Sequence, residues 1–200
     1  MIGIWLLQNV WLVTILWALV YISDYYLTIY SARQFAGPMR RHIQVEGSFE
    51  LTPVFQKDVD ALKMFSPAFF SRLLISLALI PAIYVVALNL FENLFLYEFL
   101  IGGLFLRSAS IHLRHLRNVT TAILVRRPGS MRGKVENSRW LTLRLSGAEL
   151  MGFGVLFLLA ALVASSAFFL GGGVITSITG IQHWAMARKM QPALPAAAEQ

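Results

Sequence analysis

The sequence predicts an all-α fold: a polytopic bundle of about five transmembrane helices, with a short amphipathic interfacial helix in the first basic loop. Three observations lead there. Hydrophobic residues make up 57% of the 200-residue chain and charged residues only 14%, where a soluble domain carries about a quarter. The apolar residues fall in runs long enough to cross a hydrocarbon layer about 30 Å thick. The cations fall between those runs, where positive charge sets topology and meets anionic head groups. Lipid must act as solvent for much of the chain, and one transmembrane domain is expected over residues 1–190.

The first span is expected over about residues 4–30. No cation precedes it and no small-residue cleavage site follows it, so it reads as a retained helix and not a signal peptide. Trp5 and Trp11 suit one interface; Tyr25, Tyr26 and Tyr30 suit the other. Gly37-Pro38 ends the helix. Thr52-Pro53 then reads as a new start, with a hydroxyl cap and proline in the first turn. Phe55, Val59 and Leu62 recur at helical spacing among Lys57, Asp58, Asp60 and Lys63. Such an amphipathic helix either lies on the membrane surface or packs on the bundle.

Ser66-Pro67 repeats the start signal before a second span at about 68–90, which Pro81 should kink by removing a backbone hydrogen bond. The third span, about 94–116, begins apolar and then carries Arg107, His112, Arg114, His115 and Arg117, as if one helix left the membrane and continued. Basic residues and Pro128-Gly129 make 126–144 a loop. The fourth span is expected over 146–170. Gly171, Gly172 and Gly173 read as a tight break. The fifth span, about 174–188, is short and weakly apolar, with Thr176, Ser177, Thr179, Gln182 and His183. Residues 191–200 read as a disordered cytoplasmic tail.

The basic stretches 33–72 and 107–144 belong on the cytoplasmic side, while the connections near Glu92 and Gly172 carry no cation. Five spans follow, with the N-terminus outside, the C-terminus inside and a bacterial inner membrane as the expected location. A re-entrant fifth segment would leave four spans and reverse the C-terminus.

The formal net charge of +7 points to anionic lipid at the cytoplasmic face and not to nucleic acid, because the cations cluster beside apolar spans. Arg40, Arg41, Arg126 and Arg127 are the expected head-group contacts. The absence of cysteine excludes disulfides, thiolate metal sites and cysteine nucleophiles. No cofactor motif occurs. Five spans make a thin bundle, so a homo-oligomer or a partner membrane subunit is expected.

Ionisable residues inside lipid cost several kcal/mol, about 2.5–3.5 on insertion scales, so each needs a partner or a watery cavity. Asp24 lies about as deep in the first span as Arg114 and His112 lie in the third, so it can pair with either if the helices are neighbours. A carboxylate beside a histidine suits a proton relay or cation site; it equally suits a structural ion pair. Arg107 is deeper, near mid-membrane, on a stripe with Ser110, Arg114, Asn118 and Thr121. That stripe suits an anion or a lipid head group in a cavity, or else Arg107 snorkels or pairs with Glu149 or Gln182. His112 and His115 share one helix face, but Arg114 and Arg117 beside them oppose a metal ion, and no metal site is assigned. Glu98, with Gly102 and Ala109 on its face, marks a place for close helix packing. His183 reads as a packing histidine before a catalytic base. Asn118-Val119-Thr120 matches a glycosylation acceptor, on a side where it would not be used.

The pathway candidates are thus Asp24, Arg107, His112, Arg114 and His183. They suit a transporter or channel subunit for a small ion or anionic solute. A non-catalytic scaffold or accessory subunit explains most of the cations by topology alone. A lipid-modifying enzyme of the membrane is the third class, although no acid–base pair or metal signature stands out and no catalytic residue is assigned.

Overall fold

The computed structural model describes residues 9–48, 50–127, 129, 130 and 132–191. The start of the first expected span, with Trp5, and the tail from 192 onward lie outside the described residues. Helix α1 is Val10–Ala36, capped by Asn9, whose side chain accepts from the Leu12 amide at 3.2 Å. It stops where expected, at Gly37, and a 3-10 turn, Pro38–Arg41, follows. Strand β1 is Ile43–Val45 and helix α2 is Pro53–Asp60. Helix α3, Pro67–Asn89, runs unbroken through Pro81. Helix α4, Phe95–Val125, has 31 residues, or roughly 46 Å of helix rise. Strand β2 is Val135–Asn137, helix α5 is Arg139–Ala164 and helix α6 is Ala167–Met190.

Among the described residues, three helices are long and apolar enough to cross a bilayer: α1, α3 and α5. The polar groups of α4 and α6 keep those helices below that apolarity. Neighbouring contacts give the helix directions. Trp17 bonds Ser76 at 2.9 Å and Tyr25 stacks on Phe69, so α1 and α3 are antiparallel. Trp17 meets Phe105 and Ser23 meets His112, so α1 and α4 are parallel. Helix α6 lies between α4 and α5, parallel to the first and antiparallel to the second.

The glycine triplet does not break the chain. Gly171, Gly172 and Gly173 are buried inside α6, and the turn comes earlier, where Ser165 takes the left-handed conformation at φ +47°. The glycines serve packing instead. A Cβ on Gly171 would lie 1.7 Å from the Phe99 carbonyl oxygen, and one on Gly102 would lie 1.8 Å from that of Phe168. On the other side, a Cβ on Gly147 would meet Trp184 and the Gly180 carbonyl, and one on Gly154 would meet Ser177. Helices approach this closely in lipid because van der Waals contact, not water exclusion, drives their association. Gly102 therefore packs as expected, whereas Ala109 faces outward.

Two apolar clusters hold α1, α3 and α4. Val13, Trp17, Ile80, Ala87, Tyr97 and Ile101 form one; Tyr25, Ile29, Ala32, Val59, Phe69 and Leu73 form the other. Val59 is wholly buried and Phe55 partly so, so the apolar face of α2 packs on the bundle. Its last residues are tied to the start of α3. Lys63 reaches Asp58 at 2.8 Å, the Ser66 hydroxyl donates to the other Asp58 oxygen, and Ser66 caps the Phe69 amide at 3.2 Å. These bonds hold the Asp58 carboxyl below its usual range and the Lys63 ammonium above its own.

Two basic loops meet in a parallel ladder that the sequence does not announce. Ile43 pairs with Val135, Gln44 with Glu136 and Val45 with Asn137. Arg139 reinforces it, donating from Nη1 to the Ser48 carbonyl at 2.9 Å and from its amide to Glu46 at 3.2 Å.

Gly171→Ala is expected to lower stability by roughly 1–3 kcal/mol through overpacking. Gly152→Ala, whose Cβ meets nothing within 4 Å, should be neutral or slightly stabilising; thermal unfolding in detergent compares the two. At the α2–α3 corner, a depressed Asp58 contributes fully above its ordinary 3.8 and loses its effect as pH falls below that value. A raised Lys63 contributes fully below 10.5 and loses its effect above it. Exchange protection of the Phe69 amide, corrected for intrinsic rates, should weaken below about pH 4 in the wild type. Asp58→Asn should remove that acid dependence.

Candidate functional site

A cavity of about 660 Å³ opens among α1, α4, α5 and α6. Its inner end lies at the level of Tyr21, Arg107, Leu150 and Thr179, and its outer end at Phe35, Thr121, Thr142 and Asn137. The 14 positions from Arg107 to Thr121 make it about 20 Å deep by helix rise. Ile43 and Asn137 belong to the wall, so the β1–β2 ladder roofs the mouth. Glu50, Leu51, Thr52 and Phe55 close one side. Beyond the inner end, Trp17, Phe105, Tyr97 and Ile101 pack into the first apolar cluster and seal the passage.

Four arginines line this space, Arg72, Arg107, Arg114 and Arg117, against three carboxylates, Asp24, Glu50 and Glu149. Glu149 is committed twice: Arg114 Nε donates to it at 2.9 Å and Arg117 Nη1 at 3.0 Å. The two arginines are three residues apart, so one carboxylate on α5 reaches both along one face of α4. Arg114 is thereby turned away from Asp24, the partner its depth suggested. Its Nη2 is buried with no acceptor.

Asp24 meets the histidines instead. Its Oδ1 lies 3.7 Å from His112 Nδ1 and 3.5 Å from His115 Nε2, buried and without a hydrogen-bond donor. Parallel packing of α1 on α4 produces this, because equal depth from the same end then means equal level. His112 Nδ1 donates to the Ser108 carbonyl at 2.8 Å, and its Nε2 meets the Ser23 hydroxyl at 2.7 Å. His115 Nε2 meets the Thr28 hydroxyl at 3.1 Å, while its Nδ1 is buried with no partner.

Arg107 forms no ion pair among the described residues; neither Glu149 nor Gln182 reaches it. Its Nε donates to Thr179 at 3.1 Å, and the Thr179 hydroxyl gives its own proton to the Ile175 carbonyl at 2.9 Å. Threonine thus fixes the plane of the guanidinium and leaves the fork of Nη groups without a protein acceptor among the described residues. A planar fork of this kind matches an oxyanion two bonds at a time. His183, also in the wall, is tied through Nδ1 to Ser146 at 2.8 Å, as a packing histidine would be.

The basic residues expected at head groups collect around the mouth. Arg40 and Arg41 are exposed on the 3-10 turn, Arg127 is exposed past α4, and Arg126 donates to Gln34 across the ends of α1 and α4. Among the described residues, no group of three or more histidine, aspartate or glutamate side chains is arranged to hold a metal ion.

Several site residues escaped the sequence reading. Arg72 lies at the edge of a span, where a cation is ordinary, yet it joins the cavity wall with its guanidinium 5.2 Å from the Phe55 ring. Ser23 carries no charge to mark it, and Thr28 is legible only as a hydroxyl on the face of Asp24. Their contacts with His112 and His115 follow from helix pairing alone. Comparison with protein-family models, with curated proteins and with solved structures gave no match.

Glu149→Ala should cost roughly 2–4 kcal/mol, since it strands a mostly buried Arg114; the figure is reduced from that of a fully buried pair because the site meets the cavity. Arg117, with 62% of its side chain exposed, should cost under about 1 kcal/mol when replaced by alanine. Chemical denaturation of the purified variants separates the two values.

Proposed function

We propose that this chain is a membrane transport protein, or the transport subunit of one, that receives an oxyanion into the cavity at Arg107. The carrying observation is a guanidinium with no ion-pair partner among the described residues, positioned by Thr179 at the closed end of a cavity open on one side. An unneutralised arginine so far from bulk water is expensive unless something anionic visits it. Phosphate, sulfate and carboxylate share the geometry that the fork recognises.

In this reading the chain crosses the membrane five times, N-terminus outside and C-terminus in the cytoplasm, with the cavity mouth on the cytoplasmic side. Two features support it. The helices alternate in direction from α1 through α3, α4, α5 and α6. The exposed arginines crowd the mouth, where the positive-inside rule wants them. The apolar seal beside Trp17 and Phe105 gives access from one side at a time, as alternating access requires. A second copy or a partner subunit completes the path.

The test is sulfate flux into liposomes that hold the purified protein. Arg107→Ala should reduce flux about 10- to 100-fold, the value of one charge-assisted contact, with unfolding unchanged. Arg188→Ala, outside the wall, should transport normally. Equal flux from wild type and Arg107→Ala would refute the assignment. Absent flux with lipid phosphorus retained after delipidation would make the site a head-group pocket.

A further inference from the structure

The cluster around Asp24 gives the cavity a second ligand, the proton. Backbone carbonyls only accept hydrogen bonds, so His112 carries a hydrogen on Nδ1, donated to Ser108. Ser23 has one hydroxyl hydrogen and two claimants, the Val20 carbonyl at 2.9 Å and His112 Nε2 at 2.7 Å. If the hydrogen goes to Val20, Nε2 must supply its own, and the ring is an imidazolium. If it goes to Nε2, the ring is neutral. Thr28 stands in the same way between the Asp24 carbonyl at 2.9 Å and His115 Nε2 at 3.1 Å, where the neutral ring fits in either tautomer because no carbonyl fixes the hydrogen of Nδ1. Each hydroxyl can therefore turn to suit either charge state of its histidine without any helix moving.

His115 differs from His112 in one respect. Its Nδ1 is buried and has no partner, and the residue lines the cavity with only 7% of its surface exposed. A buried nitrogen without a partner is unfavourable. A proton there adds a positive charge inside the cavity, which an anion in the same space stabilises.

The surrounding charges couple the two ligands. On the acidic side, Glu149 of α5 is held by Arg114 and Arg117, and Glu50 of the loop before α2 accepts from the Thr52 amide. Asp24 is thus the carboxylate left to face the histidines. On the basic side, Arg107 of α4 and Arg72 of α3 have no ion-pair partner among the described residues and repel an imidazolium while the cavity is empty. His183 of α6 is engaged by Ser146, and Tyr21 of α1 is a phenol stacked on Phe69. An anion at Arg107 cancels the repulsion, so anion and proton favour one another, and linkage makes the effect reciprocal.

We propose that the cavity takes up its oxyanion together with a proton, held on His115 and shared with His112 across Asp24. The proton enters from water at the mouth. It leaves Nδ1 and Nε2 of His115 both bearing hydrogen, with Nε2 toward Thr28 and the Asp24 carboxylate. The inference rests on the oxyanion reading of the cavity.

The test is calorimetric titration of the full chain in neutral-lipid nanodiscs with sodium sulfate, from pH 5.5 to 8.5, in buffers of different ionisation enthalpy. Sulfate keeps its charge throughout, so proton uptake belongs to the protein. About one proton should be taken up per sulfate once the histidines are neutral, and Kd should weaken toward tenfold per pH unit on the alkaline side. Asp24→Asn should move that profile to lower pH. His115→Gln should abolish uptake and flatten the profile while weaker binding survives. If that variant does not fold, a histidine nitrogen-15 NMR titration of the wild type serves: sulfate must move one imidazole's protonation to higher pH. Sulfate binding that depends on Arg107 but shows no proton uptake and no pH dependence would overturn this inference and leave the anion site standing. No sulfate binding at any pH would overturn both.

Discussion

The arrangement depends on how closely α6 approaches its neighbours. Gly171 of α6 and Gly102 of α4 each lie against a backbone carbonyl of the other helix at a distance that no side chain would permit, and Gly147 and Gly154 of α5 make room for Trp184 and Ser177 on the other side. Association in lipid draws little on water exclusion, so contact area and backbone proximity must supply it. The register set by Gly171 against Phe99 and Gly102 against Phe168 carries down both helices. It brings Thr179 to Arg107 one turn beyond the last glycine contact of α4. On the opposite flank, Gly147 against Gly180 carries Ser146 to His183. The polar bonds at the cavity's inner end are consequences of that small-residue packing.

A second constraint comes from parallel α1 and α4. Two helices separated in sequence by α2 and α3 run the same way, so residues of equal depth become neighbours. Asp24 then meets His112 and His115, Ser23 and Thr28 follow on the same face, and Gln34 closes the series against Arg126. The basic groups on α4 are divided by this geometry. The face turned to α1 gains a carboxylate and two hydroxyls. The face turned to α5 gains Glu149, which binds Arg114 and Arg117. Arg107, seven residues from Arg114 and five from His112, lies beyond both carboxylates and forms no ion pair among the described residues.

The mouth is organised by different means. Water reaches it, so hydrogen bonds and short elements suffice. A three-residue parallel ladder joins the two basic loops, Arg139 clamps one to the start of α5, and Asp58, Lys63 and Ser66 fix the corner where α2 enters α3. These contacts hold many cations together around a single opening. Proximity of like charges is tolerable there because solvent and salt screen it.

The amino-acid sequence by itself determined the membrane-length apolar helices and some of their ends, whereas α5 and α6 each begin seven residues before the expected 146 and 174. Those depend on local rules: apolar run length, the Ser66 and Thr52 starts, and Gly37-Pro38 as a stop. It also marked Asp24, Arg107, His112, Arg114 and His183 as groups needing partners, since a charge within an apolar run is visible without a fold. The partners were decided by the tertiary structure. Depth along a helix is legible from residue count, but the direction a side chain faces depends on which helix lies beside it. Hence Arg114 went to Glu149 and Asp24 to two histidines. The glycine triplet was misread as a break for the same reason. Glycine suits a turn and a close helix contact equally, and only the neighbours packed on the triplet, Phe99 and Leu106 of α4 and Leu158 of α5, select the second. The β1–β2 ladder was invisible because three residues carry no periodicity, and their pairing exists only once α1, α4 and α5 have brought the two loops together.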